Sequence, residues 1–335
     1  MDTDRTGTRP RPTRHGPVGA APRRLAGIGA ITVTSVLWGT TGTAATFAPE
    51  AGPLAIGSAA LGIGGLLQAL IALPALRAAR ARLRENLALV VAGAVAVGVY
   101  PLAFYGSMHL AGVAVGTVVS LASAPLASGL LELVVQRRPL GRWWTAAALL
   151  GAIGSALLCL SAAEGPSASP GRTAAGIALG LVAGATYALF SWAAHGLMGR
   201  GIDRAASMGA VFGAGGVLLM PVLAVTGAPL LASTQSFAVA AYMALVPMFL
   251  GYLLFGLGLA RVPASTATTV TLLEPAVAAV LAVLVVGETL GGAGLLGLGA
   301  VALALAVLAL APAGGGGAAP RVETGATPAR PPELR

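Results

Sequence analysis

The sequence predicts an all-α membrane protein of ten transmembrane helices arranged as two inverted five-helix repeats. Three observations predict it: ten long apolar runs, a one-sided distribution of arginine, and a gapless match of the chain to itself at a shift of 150 residues.

The first observation starts from composition. Of 335 residues, 56% are hydrophobic and only 9% charged, against about 25% charged in soluble domains. That is too little charge to solvate a globule of this size. A transmembrane helix needs about 20 mostly apolar residues. Broken at charges and Pro/Gly clusters, the chain yields ten such runs: 28–48, 53–76, 87–107, 111–135, 143–162, 173–198, 206–226, 236–259, 263–286 and 290–312. None shows the period-2 alternation of a membrane β-barrel. The first is too long, and too far from the start, to read as a cleaved signal peptide. The flanking tails, 1–24 and 313–335, are rich in Pro, Arg, Gly and Thr and are expected to be disordered.

The second observation is the charge of +9, carried by 20 arginines and no lysine. Loops between spans alternate sides. Nineteen arginines fall on one side: the N-tail, Arg77 to Arg84, Arg137, Arg138, Arg142, Arg200, Arg204, Arg261 and the C-tail. Only Arg172 falls on the other. Basic loops stay cytoplasmic, so both termini are expected inside and the span count even. The basic excess therefore marks topology and contact with anionic lipid. It is spread over short loops instead of clustering on a soluble face, which excludes nucleic acid as a partner.

The third observation sets residues 104–141 on 254–291. Gly106 meets Gly256, Ala114 meets Ala264, Pro125 meets Pro275, Leu131 meets Leu281, Val135 meets Val285, and Leu140-Gly141 meets Leu290-Gly291. The fourth run then corresponds to the ninth, so the chain reads as repeats over 25–162 and 173–312 joined by a linker at 163–172. Five spans is an odd number, so the second repeat enters the membrane inverted. Such halves rock about a midplane site in transporters.

The inventory excludes most other chemistry. Without lysine there is no Walker A loop and no Schiff base. Cys159 is alone, so no disulfide or CxxC pair exists within the chain. His15, His109 and His195 form no HExxH pair, the aspartates (Asp2, Asp4, Asp203) lie outside the apolar runs, and no G-x-S-x-G elbow occurs. No enzyme activity, metal or cofactor is expected.

The segment 254–312 contains Ala264, Ala267, Leu272-Leu273-Glu274-Pro275, Gly287-Glu288 and Leu290, and the first run contains Leu37-Trp38-Gly39. This pattern resembles the EamA family of the drug/metabolite transporter superfamily over about residues 27–312. The resemblance implies ten helices, inverted repeats, and export of small metabolites or drugs, often amino acids. The chain departs from it in places. The second and seventh runs read IGSAALGIGG and AASMGAVFGAGG, without the arginine that family members often carry there. The first repeat has Gln136-Arg137-Arg138 where the second has Val286-Gly287-Glu288.

Several residues are candidates for substrate or coupling contacts. Glu274 lies near mid-membrane, where a charged side chain costs about 3 kcal/mol on insertion scales and is a functional candidate. It is a carrier for a coupling proton or a partner for a substrate ammonium, with a structural carboxyl bonded to a neighbouring backbone as the alternative. On a continuous helix Thr271 falls within about 60° of Glu274, while Thr266, Thr268 and Thr269 are expected to bond back to their own backbone. Pro125 and Pro275 interrupt equivalent helices, which shapes a site. Trp38 sits mid-span, away from the interface where Trp143 and Trp144 stand, and is read as core packing or as a platform for substrate. Tyr187, Ser191 and His195 share one stripe of the sixth run; Tyr100, Tyr105 and Tyr252 are further cavity candidates. Glu132 is expected to snorkel or pair with an arginine, and the glycines at 176, 180 and 184, 209 and 213, and 112 and 116 to pack helices.

Together these features predict a secondary active transporter of a bacterial inner membrane. It would export a small neutral or cationic, amino-acid-like metabolite or drug by alternating access, with protons as a coupling ion. The alternatives are an uncoupled facilitator or exchanger on the same fold, and a non-transporting membrane subunit.

Overall fold

Segments built of Ala, Leu, Gly and Val satisfy their backbone away from water by closing hydrogen bonds within each helix. The computed structural model describes residues 20–45, 47–111, 113–137, 139–161, 170–281, 284 and 291–310, and among them all regular structure is helical. Gly112, Arg138, Gly287, Glu288 and Leu290 lie outside the described residues, as do the tail residues before 20 and after 310.

The helices are α1 (Ala20–Gly39, continued by Thr41–Ala45), α2 (Pro53–Ile71), α3 (Leu87–Ala111), α4 (Val113–Val134), α5 (Arg142–Ser161) and α6 (Pro170–Gly199). They continue with α7 (Arg204–Thr226), α8 (Thr234–Leu259), α9 (Ala264–Val270), α10 (Leu273–Leu281) and α11 (Gly292–Leu310). Among the described residues, eight helices are long and apolar enough to cross a membrane: α1 to α4, α6 to α8, and α11. At the fifth and ninth runs stand α5, 20 residues long, and the α9–α10 pair.

The structure departs from the sequence reading at four places. The first helix begins at Ala20, inside the stretch expected as tail. The arginine loop after α2 is itself helical, over Leu73–Ala78 and Arg80–Glu85. α2 and α8 are not regular: each widens to a π-helical stretch, over Ser58–Ile63 and Ala244–Leu250, and the two stretches lie against each other.

The fourth departure is at the two matched prolines, which act differently. The ninth run breaks at Thr271 and Leu272, because Pro275 has no N–H for the Thr271 carbonyl. That carbonyl accepts from Glu274 N instead, at 2.9 Å, in a tighter turn. Pro125, in contrast, sits inside the continuous helix α4. Its register mate for Thr271 is Leu121, which has no hydroxyl to compete for the backbone.

Helices meet in recurring pairs. α6 lies against α3 and α4; α1 lies against α8 and the α9–α10 pair; α7 lies against α2 and α3; α5 pairs with α11, and α4 with α9. The glycines 176, 180 and 184 line the α6 face of the first two contacts. A Cβ on Gly180 would fall 2.9 Å from Ser107 Oγ and Val119 Cγ1, and one on Gly184 would collide with Ser123 Oγ. Gly209 and Gly213 face Ala72 and Ala69 of the second-run segment. Small residues thus bring backbones together where no hydrophobic drive exists between helices, as the sequence led us to expect.

Arginines from distant segments gather at one end. Arg24 donates to Leu308 O at 2.9 Å, Arg82 donates to Gly201 O at 2.8 Å, and a Cβ on Gly27 would lie 2.8 Å from Arg261 Cβ. The main core sits toward that end and includes Ile31, Leu197, Phe190, Phe212, Phe255 and Leu259, all at 0% exposure. A separate core of Ala48, Ile56, Leu230 and Met243 occupies the opposite end.

Candidate functional site

Between the two cores lies a cavity of about 30 Å³. Five segments build it. α1 contributes Trp38 and its continuation Thr41; α2 contributes Gly57, Ala60 and Leu61 from its widened stretch; α3 contributes Tyr100, Pro101, Phe104 and Tyr105; α8 contributes Met248 and Tyr252. The α9–α10 break adds Glu274. The volume admits a water and is far below the roughly 300 Å³ of a small-molecule pocket, so this state of the site is contracted.

Trp38 is fixed from both sides. Its Nε1 donates to Pro247 O at 2.9 Å, inside the widened stretch of α8, and a Cβ on Gly251 would lie 2.8 Å from that nitrogen. One turn earlier, Thr34 Oγ1 donates to Gly251 O at 3.0 Å. The irregular backbone of α8 is therefore satisfied by α1 side chains, as a helix distorted in a membrane requires. Around Trp38 the aromatic rings interlock. It lies 4.7 Å from Tyr252 and 6.1 Å from Tyr187, and Tyr100 lies 5.6 Å from Tyr187. Phe190, Phe212 and Phe255 close the cluster toward the arginine-bearing end.

Among the described residues, Glu274 is the one carboxyl in the cavity wall. Its carboxyl has no hydrogen-bond or ion-pair partner among the described residues. The neighbours it faces are rings and hydroxyls.

The structure brings five of the candidate residues to one cavity: Glu274, Trp38, Tyr100, Tyr105 and Tyr252. The other five stand elsewhere. Thr271 does not share the cavity with Glu274, because the break turns it away. It is 2% exposed, accepts from Tyr187 OH at 2.9 Å and donates to Thr268 O at 2.9 Å. Tyr187 is thereby spent on bracing the break. Ser191 is fully buried with an unpartnered hydroxyl, and His195 Nδ1 lies 2.7 Å from Leu259 O. Pro275 and Pro125 are outside the wall. Thr268 and Thr269 bond back to Ala264 O and Ser265 O, as expected. Among the described residues Glu132 pairs with no arginine; it accepts from Ser265. Sequence reasoning missed Thr41, Pro101, Phe104 and Met248. The signal for two of them was available, since Pro101 and Phe104 sit between Tyr100 and Tyr105 in one run.

Toward the end away from the arginines, a second hollow of about 440 Å³ opens between Thr40, Phe47, Gln235, Tyr242 and Leu281. Tyr242 OH and Thr40 Oγ1 are 2.7 Å apart across it.

A model of the EamA-like transporter family matches residues 174–310. The uncharacterized transporter YwfM of Bacillus subtilis strain 168 is 34% identical over 272 residues, covering 80% of this chain and 88% of that protein. The chain belongs to the EamA-like transporter family. It is accordingly a multi-pass membrane protein of a family of transporters. A solved crystal structure, described only as that of a protein, superposes with a TM-score of 0.65 at 17% identity over 86% of this chain and 96% of that one. The two share a fold. Within this EamA-like chain, the family model spans the segment that carries Glu274 and the α9–α10 break.

Proposed function

We propose that this EamA-like protein is a secondary active transporter of a bacterial inner membrane. It exports a small neutral or cationic metabolite of amino-acid-like size, or a drug, by alternating access about the Glu274 cavity. Protons are the coupling ion. The observation that carries the reading is the Glu274 carboxyl, which lines an aromatic cavity between the two cores with no hydrogen-bond or ion-pair partner among the described residues. An ionisable group in that setting has either a ligand or a proton to accept.

Three features support the architecture that the reading needs: ten spans, two inverted repeats over 25–162 and 173–312, and both termini cytoplasmic. The helix pairs come in sets related by a shift of five spans. The pair of α3 with α6 matches that of α8 with α1, and α4 with α6 matches the α9–α10 pair with α1. The 19-to-one arginine distribution orients the chain. The closely packed core lies toward the arginine-bearing end, and the larger hollow opens at the other. With the arginines cytoplasmic, this state is closed inward. Among the described residues no basic side chain lines the cavity wall, which favours a neutral or cationic ligand over a phosphate-bearing anion.

The test is a thermal-shift screen of purified protein against small amines, neutral metabolites and phosphorylated anions, repeated with Glu274→Gln. Amines or neutral compounds should stabilise the wild type and lose that effect in the variant. Stabilisation by anions that survives Glu274→Gln would contradict the reading.

A further inference from the structure

Pro263 occupies the capping position of α9 and has no side chain that accepts a hydrogen bond from the first turn. The acceptor comes from a different helix, 133 residues away. Glu132 of α4, 7% exposed, receives Ser265 N–H on Oε1 at 2.9 Å and the Ser265 hydroxyl on Oε2 at 2.8 Å. Both carboxyl oxygens are used, so the pair is a two-point tie between the first half of the chain and the second. It lies at the arginine-bearing end, since Arg137 follows Glu132 by five residues and Arg261 precedes Ser265 by four.

We propose that Glu132 and Ser265 form a latch that biases this protein toward the state closed at its arginine-bearing end. The proposal rests on the alternating-access reading above. Inverted repeats that exchange conformations close opposite faces with corresponding contacts. At the 150-residue register, Glu132 corresponds to Ala282 and Ser265 to Val115. Those two positions carry neither a carboxyl nor a hydroxyl, so the same two-point tie has no chemical counterpart in the other half of the sequence. Hydrogen bonds to a charged acceptor are stronger than neutral ones, so the latched face opens less often. Opening it requires both bonds to break together, and water entering the path then solvates the freed carboxyl. Glu132 is a positioning residue in this account; it lies outside the Glu274 cavity wall.

The test measures the distance across the latch. Nitroxide labels go on Val135→Cys and Arg261→Cys, both exposed and flanking the latch, in a Cys159→Ser background. Pulsed EPR on the full chain in lipid should give one dominant short distance. Glu132→Gln should raise a longer-distance population by roughly tenfold, the scale of losing a charged hydrogen bond. Ser265→Ala, which keeps the backbone N–H bond, should raise it less, and it decides the matter if Glu132→Gln does not fold. Unchanged distances in the folded variants, even with a lowered melting temperature, would reduce Glu132 to a helix cap and overturn the proposal. The transport reading fails separately: wild-type protein that carries no flux in vesicles under any gradient, yet shifts its distances as expected, would leave the latch and remove the transporter.

Discussion

Trp38 is placed by two different kinds of contact. Its ring packs at 4.7 Å on Tyr252, and its N–H satisfies Pro247 O in a distorted stretch of α8. Trp38→Phe keeps most of the ring and leaves that carbonyl without its donor, at a cost of about 1–3 kcal/mol. Trp38→Ala also opens a void, for about 3–5 kcal/mol. Melting temperatures in one detergent should fall in that order; equal melting for Phe and wild type would mean the hydrogen bond contributes nothing. At this scale the sequence showed which residues are unusual, because an ionisable or aromatic group stands out in an apolar run. It did not show which of them share a cavity. Thr271 and Glu274 share a face on a continuous helix, but the turn between α9 and α10 separates them.

Elements differ in how directly the sequence states them. The glycine spacing of α6 announced its packing, and Gly184→Ala tests it. The added Cβ would meet Ser123 Oγ and lie 2.8 Å from Ser120 O. The clash should destabilise the α6–α4 contact by about 1–3 kcal/mol, read as a lower melting temperature with no change in helix content. The α9–α10 break was harder to read, because Pro125 and Pro275 look alike in sequence. What distinguishes them is the neighbouring hydroxyl: Thr271 bonds Tyr187 and Thr268 O, while Leu121 at the matching position bonds neither. Pro275→Ala restores an N–H to the Thr271 carbonyl, so a structure of that variant should show a continuous helix across Thr271 and Leu272. A break that persists would mean the Tyr187–Thr271 bond, and not the proline, sets it.

For the whole molecule, the apolar composition and the basic excess both fit the proposed topology. Among the described residues, Arg24, Arg82 and Arg261 from distant segments lie toward one end of the bundle. A reporter active only outside the cytoplasm should therefore be active when inserted after Ser167, beside Arg172, and silent when fused at the C-terminus. The reverse pattern would overturn the proposed orientation. The proposed repeat was legible only faintly, through seven identities over 38 positions. Membrane helices match in small residues and hydropathy, which any Ala- and Gly-rich chain supplies. The proposed latch lies in two particular side chains, Glu132 and Ser265, whose register mates Ala282 and Val115 carry neither a carboxyl nor a hydroxyl.

In the proposed transport cycle, Glu274 carries the coupling between a gradient and the movement of a small molecule. Flux of a stabilising ligand in proteoliposomes, driven by an imposed pH gradient, tests it most directly. Wild-type protein should concentrate the ligand against its gradient, and Glu274→Gln, folded and melting at the same temperature, should lose that driven flux. Gradient-driven transport at the wild-type rate in Glu274→Gln would contradict the account.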